Sequence, residues 1–195
     1  MSVDLGRVDI LGADAVGQPG QRRFRLYVSS PRGSAIMWME KTELNSLSLT
    51  LDRAMAMVTE GQMLRVEARI GSQPEPMEMP AEFPAGSSQE FQVGHMQLSY
   101  NERNDMFLLS VSPLELAIEG EREPRVVINE EHAVSFAFSL QEAQRLSEAI
   151  TATVAGGRPV CPLCHEPLGE GAHACAKQNG HKKIVSIEGE EEDQE

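Results

Sequence analysis

The stretch CPLCHEPLGEGAHACAKQNGH, residues 161–181, contains all three cysteines of the chain and three of its five histidines. Cys161 and Cys164 form a Cys-x-x-Cys pair, a spacing that lets a tight turn direct two thiolates at one metal ion. His173 and Cys175 follow, and residues two apart in an extended segment lie on the same side. These four side chains make a Cys₃His set, a common composition of structural zinc sites.

The fourth ligand has alternatives. His181 can reach the same ion in place of His173, whereas His165 is the weakest candidate because it directly follows Cys164. A site with four protein ligands is closed, while a catalytic zinc keeps one position open for water or substrate. The sequence therefore predicts zinc as a structural cofactor.

Two other interpretations of the cysteines are weaker. Disulfide pairing is disfavoured because three cysteines cannot all pair and because a cytoplasmic chain is kept reduced. A thioredoxin-like redox pair lies at a strand-to-helix junction, whereas Cys161 follows a predicted helix and precedes loop-like residues. Cysteines without any metal are the last alternative.

Two small basic clusters are candidate contacts for an anion or an acidic partner. They are Arg22, Arg23 and Arg25 beside a predicted turn, and Lys177, Lys182 and Lys183 beside the zinc segment. Exposed arginines are also common on the solvent face of a strand. The two remaining histidines, His95 and His132, are expected to be packed or at the surface rather than catalytic.

Composition and charge narrow the classes of function. The net charge is −13, and six acidic residues in the last eight positions supply −6 of it. Such a surface repels nucleic acid, because affinity for phosphate backbones comes mainly from Lys and Arg. Apolar residues make up 41% of the chain, yet no run is long enough for a membrane helix and the start does not resemble a secretory signal. We expect a cytoplasmic protein with a protein partner, without membrane association and without nucleic-acid binding.

The elements that must position these side chains are short strands and two helices. Alternation of apolar and polar residues predicts a strand at RRFRLYVSS. Strands are also predicted at the mostly apolar AIMWMEK, at EFQVGHMQLSY and MFLLSVSPLEL as a hairpin, and at the short segments RVVI and AVSFAFS. Gln18–Gln21, with Pro and Gly at its two central positions, predicts a type II turn. One apolar stripe predicts a helix over 42–58 that is capped by Thr42. A second helix is predicted over 140–154, with a capping box at Ser139–Glu142.

The order of these elements suggests a repeat. Strands followed by one amphipathic helix occur twice, which predicts an α+β fold with an antiparallel sheet and two helices on one face as a possible ββα pseudo-repeat. The predicted organisation is an α+β domain over 1–157, with a surface linker at about 71–89. A zinc-knuckle module over 158–183 and an acidic disordered tail over 184–195 follow it.

Three segments carry a family resemblance. VGQPGQRRF, FQVGHMQLSYNERND and AGGRPVCPLCHEPLGEGAHACAKQNGH resemble a bacterial family numbered 3090 in the domain-of-unknown-function series, over roughly residues 3–183. The final motif of that family resembles GRP-x-CPLCG-x-P-x-D-P-x-GH-x-CP-x-x-NG. The resemblance places its Cys, Cys, His and Cys on the four predicted zinc ligands. His165 replaces a usual Gly and Ala176 a usual Pro, and neither change removes a ligand.

The resemblance implies no activity. We therefore expect a non-enzymatic binding or adaptor protein with a structural zinc site. The alternatives are an enzyme, or enzyme subunit, that acts on a phosphorylated small molecule held by the three arginines, and nucleic-acid contact through the zinc module.

Overall fold

The computed structural model describes residues 1–18, 20–59, 77–86, 89–117 and 124–156. Eight strands and two α-helices form within these ranges. The strands are β1 Val3–Arg7, β2 Ile10–Val16, β3 Arg23–Ser30, β4 Gly33–Met39, β5 Gln89–Asn101, β6 Met106–Ala117, β7 Arg125–Ile128 and β8 Val134–Ser139. The helices are α1 Lys41–Thr59 and α2 Leu140–Ala155, and a short 3₁₀ turn, Glu130–His132, precedes β8. None of the described helices is long and apolar enough to cross a membrane.

The strands form one mixed sheet in the order β1-β8-β6-β5-β4-β3-β2, and β7 pairs with the end of β6. Two pairs are parallel, β1 with β8 and β4 with β5, and the others are antiparallel. The prediction of an α+β fold is confirmed, while the prediction of an antiparallel sheet is wrong at these two pairs. Each parallel pair joins strands that are distant in sequence, which short-range patterns do not reveal.

The two ends of the strand order meet at one corner. β1 and β2 are separated only by Val8 and Asp9, and these residues extend the neighbouring ladders. The backbone N–H of Val8 donates to the carbonyl of Ala137 in β8, and that of Asp9 donates to the carbonyl of Ser29 in β3. β1 and β2 therefore form a single bent strand, which pairs with β8 through β1 and with β3 through β2. The sheet curves so that its two ends meet at this bend.

β5 repeats this arrangement in the second half of the chain. Its first residues, Gln89–Gln92, pair in parallel with β4, and the rest pairs antiparallel with β6 after a register shift between Val93 and His95. The bent strand β1–β2, then β3, β4 and α1, thus have the same pairing order as β5, β6, β8 and α2. The predicted repeat is reflected in how the strands pair, although β1 and β5 were not part of that prediction.

The two helices cross at matching positions. Ser48 of α1 and Ser147 of α2 lie 99 residues apart in sequence, and their buried hydroxyl oxygens are 3.0 Å apart. The same spacing relates two buried apolar pairs, Leu47 with Leu146 and Leu51 with Ile150. The helices therefore meet around an approximate two-fold axis that passes near the serine pair.

The start of α1 differs from its prediction. The helix begins at Lys41, one residue before the predicted cap Thr42. The backbone N–H of Glu40 donates to the Glu43 carboxylate at 2.7 Å. The start of α2 agrees with its prediction, because Ser139 and Glu142 form the capping box. The predicted turn at Gln18–Gln21 is also confirmed, since Gln21 donates to the Gln18 carbonyl and Gly20 has a φ of 94°.

The core lies between the inward face of the sheet and the two helices. Alternate residues of β3, β6 and β8 face inward, which follows from the two-residue period of a strand. The largest fully buried side chains of the core include Leu26, Leu51, Phe107, Leu109, Phe136, Phe138, Leu146 and Ile150. Both halves contribute to this single cluster, so neither half has a core of its own.

Candidate functional site

The predicted zinc ligands lie outside the described residues. This applies to Cys161, Cys164, His173, Cys175 and the alternative His181, and also to the three lysines beside them. The zinc site and the domain boundaries therefore stay predictions. Within the described part of the chain, no group of three or more His, Cys, Asp or Glu side chains could hold a metal ion.

Among the three predicted arginines, Arg25 is held by Asp14. Its Nε lies 2.6 Å from Oδ1 and its Nη2 lies 2.9 Å from Oδ2, so the pair is bidentate. Only 17% of the Arg25 side chain and 10% of the Asp14 side chain are exposed. The hydrogen bond to Asp14 raises the pKa of Arg25 despite the opposing effect of burial. Asp14 also accepts the backbone N–H of Met79 at 3.0 Å.

The other two arginines have different partners. The guanidinium of Arg23 lies 4.3 Å from the centre of the Trp38 ring, and the Trp38 indole donates to Glu90 at 2.8 Å. Nη1 of Arg22 donates to the carbonyl of Gly156, just after α2. The guanidinium of Arg25 also lies over the Trp38 ring, 5.7 Å from its centre. Arg23 and Arg25 therefore share this partner, whereas Arg22 is bound separately at the end of α2.

A cavity of about 630 Å³ lies beside Arg22 and Arg25. The segment Met77–Met79 and the end of α2 at Thr153 and Gly156 also line it. Nε of Arg22 is buried and has no acceptor among the described residues. This nitrogen is the one feature of the arginine cluster that leaves room for an anion.

The described part of the predicted linker covers the outward face of β2 and β3. The hydroxyl of Tyr27 donates to the carbonyl of Glu78 at 3.1 Å, and Phe83 packs edge-on against the Tyr27 ring. Burial, with a smaller contribution from Asp14, raises the pKa of Tyr27 to about 12. Gly12 is required beneath this cover, because a Cβ there would lie 2.3 Å from the Tyr27 hydroxyl.

The second half carries an insertion at the corresponding turn. In the first half, β3 and β4 are joined by Pro31 and Arg32 alone. In the second half, the equivalent strands β6 and β8 are joined by a longer excursion in which the end of β6 pairs with β7. We call Leu114–Ala117 together with Arg125–Ile128 the ribbon. It is the part of the sheet that breaks the two-fold pattern.

One face of the ribbon is apolar and exposed. Leu114 pairs with Ile128 and Leu116 pairs with Val126, so all four side chains point to the same side. The exposed fractions are 69% for Leu116, 66% for Val126 and 49% for Ile128. Gly94 permits this packing, since a Cβ there would lie 3.1 Å from Leu114 and from Ile128.

A polar cluster holds the base of the ribbon. Nδ1 of His132 lies 2.6 Å from the Glu115 carboxylate, and the Asn129 amide donates to the other Glu115 oxygen at 2.7 Å. The hydrogen bond from His132, followed by that from Asn129, lowers the pKa of Glu115. His132 is thus a surface residue, as expected, and its role in the structure is to fix the ribbon to the 3₁₀ turn.

A family model described as "Protein of unknown function (DUF3090)" matches residues 4–175. The chain is a member of the DUF3090 family. No curated protein and no solved structure matches it. The match begins in β1 and extends beyond α2, so the ribbon and the Asp14–Arg25 pair both lie within the DUF3090 region.

Sequence reasoning did not predict the apolar face of the ribbon. The sequence predicts a strand at RVVI, but a short aliphatic segment does not tell which of its faces is covered. The signal in the sequence is that LEL and RVVI are short aliphatic segments separated by a charged, glycine-containing sequence, a pattern that favours pairing of the two segments.

Proposed function

We propose that this DUF3090 protein is a non-enzymatic binding or adaptor protein, in which a structural zinc ion orders the C-terminal segment. The observation that carries the proposal is the exposed apolar face of the ribbon. Contiguous apolar surface of this kind marks interaction sites in soluble proteins, whereas scattered apolar side chains do not.

The position of the ribbon supports the same conclusion. Its two strands extend beyond the connection that the fold requires, because in the first half of the sheet the equivalent strands, β3 and β4, are joined by a two-residue turn. The fold does not need the ribbon to complete its core, since Leu116 and Val126 are about two-thirds exposed. Segments that decorate a rigid scaffold in this way commonly carry its binding residues.

Quantitative affinity capture from the native cell tests this proposal. The double variant L116D/V126D should lose a partner that the wild-type chain recovers, because two carboxylates would have to be desolvated at the interface. The matched control is Met57→Asp, since Met57 is 68% exposed and belongs to α1 rather than to the ribbon. Equal recovery by the double variant and the wild type would refute the proposal.

The zinc part of the proposal has its own test. Protein purified without chelators under reducing conditions should carry about one zinc ion per chain, as a single four-ligand set requires. Cys164→Ala should increase hydrogen exchange from about residue 159 onward and leave the sheet protected, because binding energy at a closed site stabilises the segment that supplies the ligands. A metal content near zero, or loss of protection throughout the sheet, would contradict it.

One observation favours the enzyme alternative. Nε of Arg22 is buried beside a cavity of about 630 Å³ and has no acceptor among the described residues. A phosphate oxygen is a suitable acceptor for such a guanidinium. Arg22→Lys would discriminate, since phosphate should protect the wild-type protein from thermal unfolding and should not protect the variant.

A further inference from the structure

The hydrogen-bonding pattern of the β6–β7 ladder determines which main-chain groups of β7 bind β6 and which point to its other edge. Asn129, directly after β7, donates its N–H to the carbonyl of Pro113 in β6 at 3.0 Å. In an antiparallel ladder, hydrogen-bonded and non-hydrogen-bonded residue pairs alternate. Arg125 and Val127 therefore direct their N–H and C=O toward β6. Val126 and Ile128 direct theirs to the opposite edge, where β7 has no strand partner among the described residues.

This edge is only partly protected. Exposed edge strands in soluble proteins are commonly blocked by lysine, proline, a bulge or an inward-pointing charge. Here Pro124 and Arg125 stand at the start of β7, but the next three residues, Val126, Val127 and Ile128, are consecutive β-branched residues with high strand propensity. The edge therefore offers two N–H and two C=O groups beside an apolar face.

We propose that the free edge of β7 binds an extended, basic and aliphatic segment of a partner protein as an added strand. This inference rests on the proposed function, because it specifies what the ribbon binds and how. Strand addition gives affinity through main-chain hydrogen bonds and gives specificity through alternate side chains. Alternate aliphatic residues of the added strand would cover Val126 and Ile128, and Leu116 lies on the same face one strand further away.

Charge determines the remaining chemistry of the partner. The chain has a net charge of −13, and Glu130 and Glu131 are exposed directly after the strand. A basic segment is attracted by this field, whereas a second copy of the chain is repelled. A symmetric dimer also needs roughly 800 Å² of buried surface per partner, which an edge of four residues does not supply.

Val126→Pro isolates the main-chain contribution. Proline removes an N–H that faces away from β6 and keeps an aliphatic side chain, and proline is tolerated on a free strand edge. The comparison variant is Leu116→Ser, which removes apolar surface from β6 without changing the backbone of β7. The probe is an acetylated and amidated octapeptide of alternating lysine and valine, and its glutamate–valine counterpart is the matched control.

Peptide affinity and backbone amide shifts are measured by NMR on the full chain. We expect the lysine–valine peptide to change the NMR chemical shifts of the Val126 and Ile128 backbone amides. Val126→Pro should weaken peptide binding by about tenfold or more, because it removes a main-chain contact worth about 1.4 kcal/mol. Leu116→Ser should weaken binding by a smaller factor. The glutamate–valine peptide should bind more weakly than the lysine–valine peptide.

Other outcomes overturn the inference and separate it from the proposed function. If Leu116→Ser abolishes binding and Val126→Pro does not, the ribbon is an apolar docking surface without strand addition, and the proposed function stands. Equal affinity for the two peptides refutes the basic partner. A wild-type dimer that Val126→Pro dissociates identifies a second copy as the occupant. If no peptide binding is detected up to about 1 mM, which corresponds to a binding free energy near −4 kcal/mol, strand addition is refuted. The proposed function is then still tested by the affinity-capture experiment.

Discussion

The two halves of the sheet have matching strand orders but opposite outer surfaces. In the first half, Met77–Gly86 lies over β2 and β3, and Tyr27 and Phe83 are buried beneath or within that cover. In the second half, the corresponding strands carry the ribbon, whose apolar face is exposed. The shared inward face maintains the fold, while each outer face is free to acquire a separate role.

Two ion pairs of the first half show what the cover changes. Asp14–Arg25 lies under it with little exposure, whereas Asp4–Arg32 at the uncovered corner has side chains that are 62% and 63% exposed. The N–O distances, 2.6 Å and 2.9 Å, are similar. Removing one member of a buried pair leaves an unpaired charge away from water, but an exposed charge is hydrated and screened.

The largest expected effect tests whether the halves contribute equally to the core. Leu51→Ala and Ile150→Ala remove fully buried side chains at matching positions of α1 and α2. Each should lower the free energy of unfolding by about 3 kcal/mol, within the range for truncating a buried aliphatic residue to alanine. Urea denaturation measures both. A difference above about 1.5 kcal/mol would show that one half dominates the core.

The next effect contrasts the two ion pairs. Asp14→Ala should lower the free energy of unfolding by about 2–3 kcal/mol, because Arg25 and the N–H of Met79 both lose a buried acceptor. Asp4→Ala should cost less than about 1 kcal/mol, as expected for an exposed pair. Thermal and chemical unfolding of both variants checks the contrast, and equal losses would show that the cover does not shield Asp14.

A smaller effect concerns alkaline pH. The pKa of Tyr27 is about 12 in the folded chain, and that of an unfolded tyrosine is about 10. The neutral phenol is therefore favoured by folding, so its contribution is complete below pH 10 and is lost as the pH rises toward 12. Unfolding free energies measured from pH 9 to 11.5 should fall less steeply for Tyr27→Phe than for the wild type. Parallel curves would contradict burial of this phenol.

The smallest expected effect on stability concerns the ribbon, in the second half of the sheet. Leu116→Ser should change the free energy of unfolding by less than about 0.5 kcal/mol, because Leu116 is 69% exposed. The same denaturation assay measures it. A loss above about 1.5 kcal/mol would mean that the ribbon face is buried within the intact chain, which would remove the basis for partner binding.

Local patterns predicted the elements well and their assembly less well. The capping box at Ser139 and the apolar stripe of α1 depend on neighbours within a few residues, and both are confirmed. The parallel pairing of Val3 with Val134 depends on a contact across most of the chain, and nothing near Val3 indicates it. The cap of α1 was misplaced at Thr42 because Glu43, one residue on, binds the N–H of Glu40 instead.

The candidate site was predicted in the same uneven way. Arg22, Arg23 and Arg25 are close in sequence, but Arg22 lies before β3 and binds Gly156, whereas Arg23 and Arg25 are two residues apart on β3 and share one face. Asp14, which determines what Arg25 does, lies on the neighbouring strand. The ribbon face depends on the exposure of Leu116 and Val126, which is a property of the whole sheet. The zinc ligands, whose spacing is strictly local, remain the most specific prediction from sequence alone.

The corner between β1 and β2 also affects how the chain is made. Val3 is synthesised before its ladder partner Val134, which follows about 130 residues later. At typical synthesis rates of about 5–20 residues per second, β1 waits roughly 7–26 seconds for β8. During translation, β2, β3 and β4 can already form their antiparallel ladders while β1 has no partner. A nascent chain thus presents a free β1 until the second half of the fold is complete.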